Sequence, residues 1–142
     1  MKKLVIIIVL FSFSMAFAQD WTTNFKEAKI KAGVKSKKIV LVFSGSDWCA
    51  PCIKLDKTVW QSEVFKLAAV ENWVLVKADF PKKKTNLLSD EQTKNNKALA
   101  EKYNPEGSFP KVVVLNSDGK VLGILGYEKI SAEAYTTKLK AL

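Results

Sequence analysis

The chain has 142 residues, 48% of them hydrophobic and 26% charged, enough for one compact core and too few for two. Its 23 basic residues outnumber 14 acidic ones for a net charge of +9, but all are lysines, and the densest run, Lys82-Lys83-Lys84, has no arginine or interleaved aromatic to grip phosphate or stack on a base. No nucleic-acid partner is therefore expected, and the charge reads as a solvated surface or as attraction to anionic envelope surfaces and acidic partners.

Met1-Lys2-Lys3, the apolar run Leu4–Phe17 and Ala16-Phe17-Ala18 before Gln19 follow the three-part layout of a secretory signal peptide. The run is shorter than the roughly 20 apolar residues that span a bilayer, so cleavage is expected rather than anchoring. Residues 1–18 are accordingly read as a signal peptide, 19–142 as a single domain, and the location as periplasmic or secreted. Removal takes away Lys2 and Lys3 and leaves the remainder basic.

Thr22 or Thr23 can cap a helix reaching about Val34, with Phe25, Ala28 and Ala32 at helical spacing. Lys38–Ser44 is a β-branched and aromatic run bounded by Ser and Gly, the pattern of a strand buried on both faces. Gly45-Ser46-Asp47-Trp48 breaks it, and Cys49, Cys52, Leu55, Val59, Trp60 and Val64 return at helical spacing. Trp73–Ala78 reads as a second strand and Pro81–Leu88 as a lysine-rich loop. Ser89-Asp90-Glu91-Gln92 offers a capping box for a helix to about Tyr103. After a turn at Asn104–Ser108, Lys111–Asn116 and Lys120–Gly126 form a hairpin around Ser117-Asp118-Gly119, and Ser131 can cap a last helix. This order specifies an α/β fold: a central mixed β-sheet flanked by helices on both faces. Trp60 and Trp73 are expected in the core.

The only cysteines, Cys49 and Cys52, stand at C-x-x-C spacing where the buried strand passes into a helix. Helix N-terminal N–H groups and the macrodipole favour a thiolate at Cys49, making it the nucleophile. Cys52, one turn on, is placed to resolve a mixed disulfide, and Pro51 suits the first helical turn. Two other readings remain open. Half of a zinc site would need more ligands, but there is no histidine and no third cysteine. A purely structural disulfide would close a loop so short that it removes only about 2 kcal/mol of unfolded-state entropy. Metal binding is not expected.

Strand, Ser44-Gly45-Ser46-Asp47-Trp48-Cys49-Ala50-Pro51-Cys52, helix, and later Phe109-Pro110 before a strand resemble the thioredoxin superfamily. The nearest likeness is to exported thioredoxin-like proteins and the periplasmic domains of thiol:disulfide interchange proteins, which share Asp-Trp-Cys-x-x-Cys and an acid at the position of Asp56. The resemblance implies a thioredoxin fold and a cis bond before Pro110, leaving the backbone of Phe109 free to pair with an extended substrate. Gly126 matches the glycine that lets backbone approach the active-site surface, or is an ordinary strand-end glycine. Trp48 is expected to shield the sulfur and offer a flat apolar face, with core packing as the alternative. Two positions depart from the family. Phe43 stands where thioredoxins carry a buried aspartate that moves protons at the resolving cysteine; Asp56 or Lys77 could assist instead, or both could be solvated. The segment Pro81–Asp90 is long and either borders the site or is plain surface.

Ala50-Pro51 resembles the dipeptide of reducing thioredoxins, and oxidases and isomerases of this fold commonly carry histidine there. A reductase is therefore favoured, needing no cofactor beyond the Cys49–Cys52 redox disulfide. Its partners would be disulfide- or thiol-containing envelope proteins and a transmembrane electron donor, with the chain itself a monomer. The alternative is a binding or assembly module using the Phe109-Pro110 groove, which includes a part in cytochrome maturation.

Overall fold

Two predominantly apolar strands form the centre of the molecule. In the computed structural model, which describes residues 19–142, β2 (Lys38–Ser44) and β3 (Trp73–Asp79) pair in parallel along their whole length, Lys38 opposite Trp73 through Ser44 opposite Asp79. The proposed signal peptide, residues 1–18, lies outside the described residues. On the other side β2 pairs antiparallel with β4 (Lys111–Leu115), which forms a hairpin with β5 (Val121–Leu125). A two-residue strand, β1 (Trp21–Thr22), completes the order β1-β3-β2-β4-β5 on the outer edge of β3.

Alternation along β2 sends Ile39, Leu41 and Phe43 into one core and Val40 and Val42 into another. Against the first pack Ala28 and Ala32 of α1 (Phe25–Lys35) and Tyr103 of α4 (Asp90–Tyr103). Against the second pack Leu55 of α2 (Ala50–Leu55), Phe65 of α3 (Glu63–Asn72), and Tyr135 and Leu139 of α5 (Ala132–Lys140). Trp60 and Trp73 are buried there as expected, each in ring contact with Phe65. Full burial of one such ring contributes about 2 kcal/mol. The mixed sheet with helices on both faces is the thioredoxin fold.

Three local expectations are corrected. The cap of α1 is Asn24, whose Oδ1 accepts from Glu27 N (3.1 Å), because Thr22 is taken up in β1. The helix from the cysteines does not run to Val64; α2 passes into a π turn at Asp56–Trp60 and α3 starts afresh. Ser62 causes the restart: its Oγ donates to Val59 O (2.6 Å) and accepts from Phe65 N (3.3 Å), local bonds that replace the helical ladder. Ser89 caps α4 as expected, accepting from Gln92 N (3.1 Å), but the Gln92 amide turns to Asn96 and Thr23 O, so only half of the capping box forms.

Candidate active site

The chain leaves β2 through a tight turn in which Gly45 O accepts from Trp48 N (3.2 Å) and Cys49 N (2.9 Å). The indole of Trp48 lies directly on Gly45: a Cβ there would fall within 2.7 Å of three indole atoms. The indole N–H donates to Phe80 O (2.7 Å), and its ring meets Phe109 edge-on at 5.5 Å, while Phe80 meets Phe109 at 5.5 Å from another side. Trp48 keeps 39% of its surface exposed. It is thus a fixed aromatic rim beside the cysteines rather than core.

Cys49 is the N-cap of α2, and its Sγ accepts from the backbone N–H of Cys52 (3.3 Å). Pro51 occupies the first turn, where a missing N–H leaves no intrahelical bond unmade. The two cysteines form a disulfide with Cα atoms 5.2 Å apart. A nucleophile would be expected at the surface, but in this oxidised state both cysteines are buried, Cys49 5% and Cys52 4% exposed. In the dithiol state the same N–H would donate to a Cys49 thiolate and favour it.

The Phe109–Pro110 peptide is cis. Lys111 pairs with Phe43, so Pro110 stands across from Ser44, at the end of the sheet where β2 turns toward the cysteines. The preceding turn is held by Asn104, 2% exposed, whose Oδ1 accepts from Ser108 N (2.9 Å) and whose Nδ2 donates to Ser108 O (2.8 Å). Outside it, the buried Lys111 ammonium pairs with Glu106 and holds that carboxyl below its usual range. Neither the N–H nor the C=O of Phe109 takes part in the hydrogen bonds among the described residues. Gly126 lies beside Pro110, yet a Cβ there would meet only Pro110 O, at 3.9 Å, so the close approach does not require glycine.

The segment after Phe80 borders the site. Asp47 accepts from Lys82 N (2.9 Å), Lys83 N (2.9 Å) and Asn86 Nδ2 (3.1 Å). The Lys82 N–H, followed by the Lys83 N–H and Asn86, holds the Asp47 carboxyl below its ordinary value despite some desolvation. Asp79 in turn accepts from Ser46 N (2.9 Å) and Ser46 Oγ. Lys82 Nζ sits 4.0 Å from the centre of the Trp48 ring. An exposed cation–π contact is worth about 0.5–1 kcal/mol, so the Asp47 and Asp79 bonds, not that contact, fix the segment. Sequence reading missed Asp47, Asp79 and Lys82, because the partners of Asp47 lie 35 to 39 residues away.

Phe43 is fully buried on the α1 and α4 side of the sheet and offers no proton path. Asp56, one turn beyond Cys52, and Lys77 pair with each other at 3.7 Å, with 39% and 31% of their side chains exposed, and Lys77 Nζ also lies 4.9 Å from the Trp21 ring centre. They are neither buried nor free of each other.

A thioredoxin-like family model matches residues 20–117. Disulfide bond reductase DsbH of Chlamydia pneumoniae is 36% identical over 118 residues, covering 83% of this chain and 69% of that protein. Thioredoxin-related protein DsbJ of the same organism is 26% identical over 75% of this chain, which spans only 30% of that relative. A solved DsbH oxidoreductase superposes with a TM-score of 0.79 at 35% identity, covering 86% of this chain and 82% of its own.

Proposed function

This chain belongs to the thioredoxin-like family, and from that we propose that it is an exported thiol:disulfide oxidoreductase working in the reducing direction. The observation that carries the reading is the capping bond: Cys52 N–H aimed at Cys49 Sγ, at the start of a helix, favours charge on Cys49 and not on Cys52. The Cys49 thiolate attacks one sulfur of a substrate disulfide, and the other sulfur leaves as a thiolate and takes up a proton. Cys52 then loses its proton and attacks Cys49 Sγ, releasing the second substrate thiol and closing the Cys49–Cys52 disulfide. Two electrons pass to the substrate, and no cofactor beyond the dithiol takes part.

In this reading Trp48 and Phe109 form the substrate rim, with Phe109 and cis-Pro110 presenting backbone to an extended segment. The Asp56–Lys77 pair, one helical turn beyond Cys52, takes up the proton that Cys52 gives up, standing in for the acid that Phe43 replaces. Residues 19–142 act as one periplasmic or secreted domain after loss of residues 1–18. With no third cysteine to relay electrons, the disulfide would be reduced again by a transmembrane donor. The reducing direction rests on Ala50-Pro51, the absence of histidine and the similarity to the reductase DsbH.

Cys52→Ser should stop after the first step and hold substrates as mixed disulfides on Cys49, whereas Cys49→Ser should abolish both trapping and turnover, as read by non-reducing gels and mass spectrometry. Equilibration of the intact protein with glutathione should give a potential near thioredoxin's, about −270 mV. A value near −120 mV, that of a strong oxidase, would reverse the direction. Exchange persisting in Cys49→Ser would overturn the nucleophile.

A further inference from the structure

The lysine-rich segment after Phe80 is unusual in being tied to the exchange site by its backbone while leaving its charges outward. Asp47, two residues before Cys49, is satisfied by Lys82 N–H, Lys83 N–H and Asn86, and Asp79 by Ser46. The nearby carboxylates therefore face backbone and side-chain donors within the turn. The ammonium groups form no close pair: Lys82, Lys83 and Lys84 are exposed and none joins the ion pairs formed among the described residues, the Lys83 charge adding only the smallest of the influences that lower the Asp47 carboxyl. Lys82 stands over the exposed face of Trp48, whose ring touches Phe109. A polypeptide lying along Phe109 with its cysteine at Cys49 would pass beside this row of charge.

We propose that Lys82, Lys83 and Lys84 form a specificity wall that selects disulfide-bearing segments with acidic residues next to the reacting cysteine. The inference rests on the disulfide-exchange reading and adds the substrate class. Its basis is charge complementarity: the Lys82 ammonium stands over Trp48 and the backbone of Lys82 and Lys83 is tied to Asp47, so this exposed run of three cations borders the exchange site, where it attracts carboxylates and repels basic flanks. Exposed pairs of this kind are individually weak and screened by salt, so the effect should appear as a ratio between substrates that fades with ionic strength.

The test uses the full mature chain, reduced beforehand, and three disulfide-linked peptides identical except for Glu, Gln or Lys on both sides of the cysteine. Single-turnover rates are followed by tryptophan fluorescence. At low salt the Glu peptide should react about five- to tenfold faster than the Lys peptide, the size that two or three exposed ion pairs supply together. The ratio should approach one at high salt and collapse in the Lys82→Gln, Lys83→Gln, Lys84→Gln triple variant. If all three peptides are reduced at the same rate whatever the salt, the specificity wall is wrong while the exchange reading stands. If the preference survives undiminished in the triple variant, the general charge of the protein is responsible and the wall is again wrong. If none of the peptides is reduced, the exchange reading itself fails.

Discussion

The disulfide sits between two walls built on different chemistry. On one side the Asn104–Pro110 turn is held by a neutral, buried amide that both gives and takes a hydrogen bond with Ser108. On the other, Pro81–Asn86 is held by Asp47, an ionised carboxylate at the surface accepting from backbone and side-chain N–H groups. The first clamp carries no charge to titrate and excludes water. The second depends on its charge and stands in solvent. A shared scaffold can therefore keep its cis-proline wall constant while the wall that carries lysines remains adjustable by pH and salt.

Removing the buried clamp should have the largest effect. Asn104→Ala leaves both Ser108 backbone groups without their partner and opens space where a buried amide stood, so it should destabilise the protein by about 1–3 kcal/mol in urea denaturation. It should also slow disulfide exchange, because the backbone leading to Phe109 loses its anchor. Asn104→Asp keeps the acceptor but sets a buried carboxylate against Ser108 O, so at neutral pH it should destabilise at least as much as alanine. A variant as stable as the parent would show that the cis-proline wall is held by strand pairing alone.

Releasing the charged clamp should leave stability nearly intact and change local order instead. Asp47→Asn should expose the bonds after Lys82, Lys83 and Lys84 to a lysine-specific protease sooner than in the parent. The pH dependence has a definite sign. The native pKa of Asp47 lies below its ordinary value, so the stabilisation it gives is complete above the ordinary carboxylate pKa of about 3.9 and is lost as pH falls through the lower native value. The amide resonances of Lys82 and Lys83 should titrate together in that acidic window. Asn104 takes up no proton there, and its wall loses only the outer Glu106–Lys111 pair, as the Glu106 pKa is also lowered. If the Lys82 and Lys83 amides ignored acid, the Asp47 carboxylate would not be what holds them.

Local signals made β2, β3 and the strand-to-helix placement of Cys49 and Cys52 legible in the sequence, since unbroken apolar runs and helical spacing are short-range patterns. Ser89 and Ser131 were legible as caps for the same reason. What escaped depends on distant partners. Trp21–Thr22 is a strand only because the outer edge of β3 is open to it, and two residues carry no periodicity. Asp47 looks like any turn aspartate until Lys82 and Lys83 arrive from beyond β3. The break at Ser62 was written locally, as a serine three residues before Phe65, but the continuing apolar spacing to Val64 masked it.

Gly126 supplies the smallest expected effect and the finest discrimination between the walls. Beneath Trp48, Gly45 has no room for a methyl group. Gly126, on the cis-proline side, has its carbonyl held by the Tyr135 hydroxyl (2.7 Å) and only Pro110 O, at 3.9 Å, near the place of a Cβ. Its φ is not among the positive values, which belong to Gly107, Gly119 and Ser36. Neither space nor backbone conformation therefore demands glycine, and Gly126→Ala should change stability by less than about 0.5 kcal/mol. The melting temperature should accordingly move by under about 3 °C. Any remaining reason for glycine would lie in what approaches from outside. Comparison of a small disulfide with a disulfide-linked peptide isolates that reason: an added methyl group that obstructs an incoming chain should slow the peptide and spare the small molecule. Equal rates on both would make Gly126 an ordinary strand-end residue and leave only Phe109 and Pro110 as the residues proposed to meet the peptide.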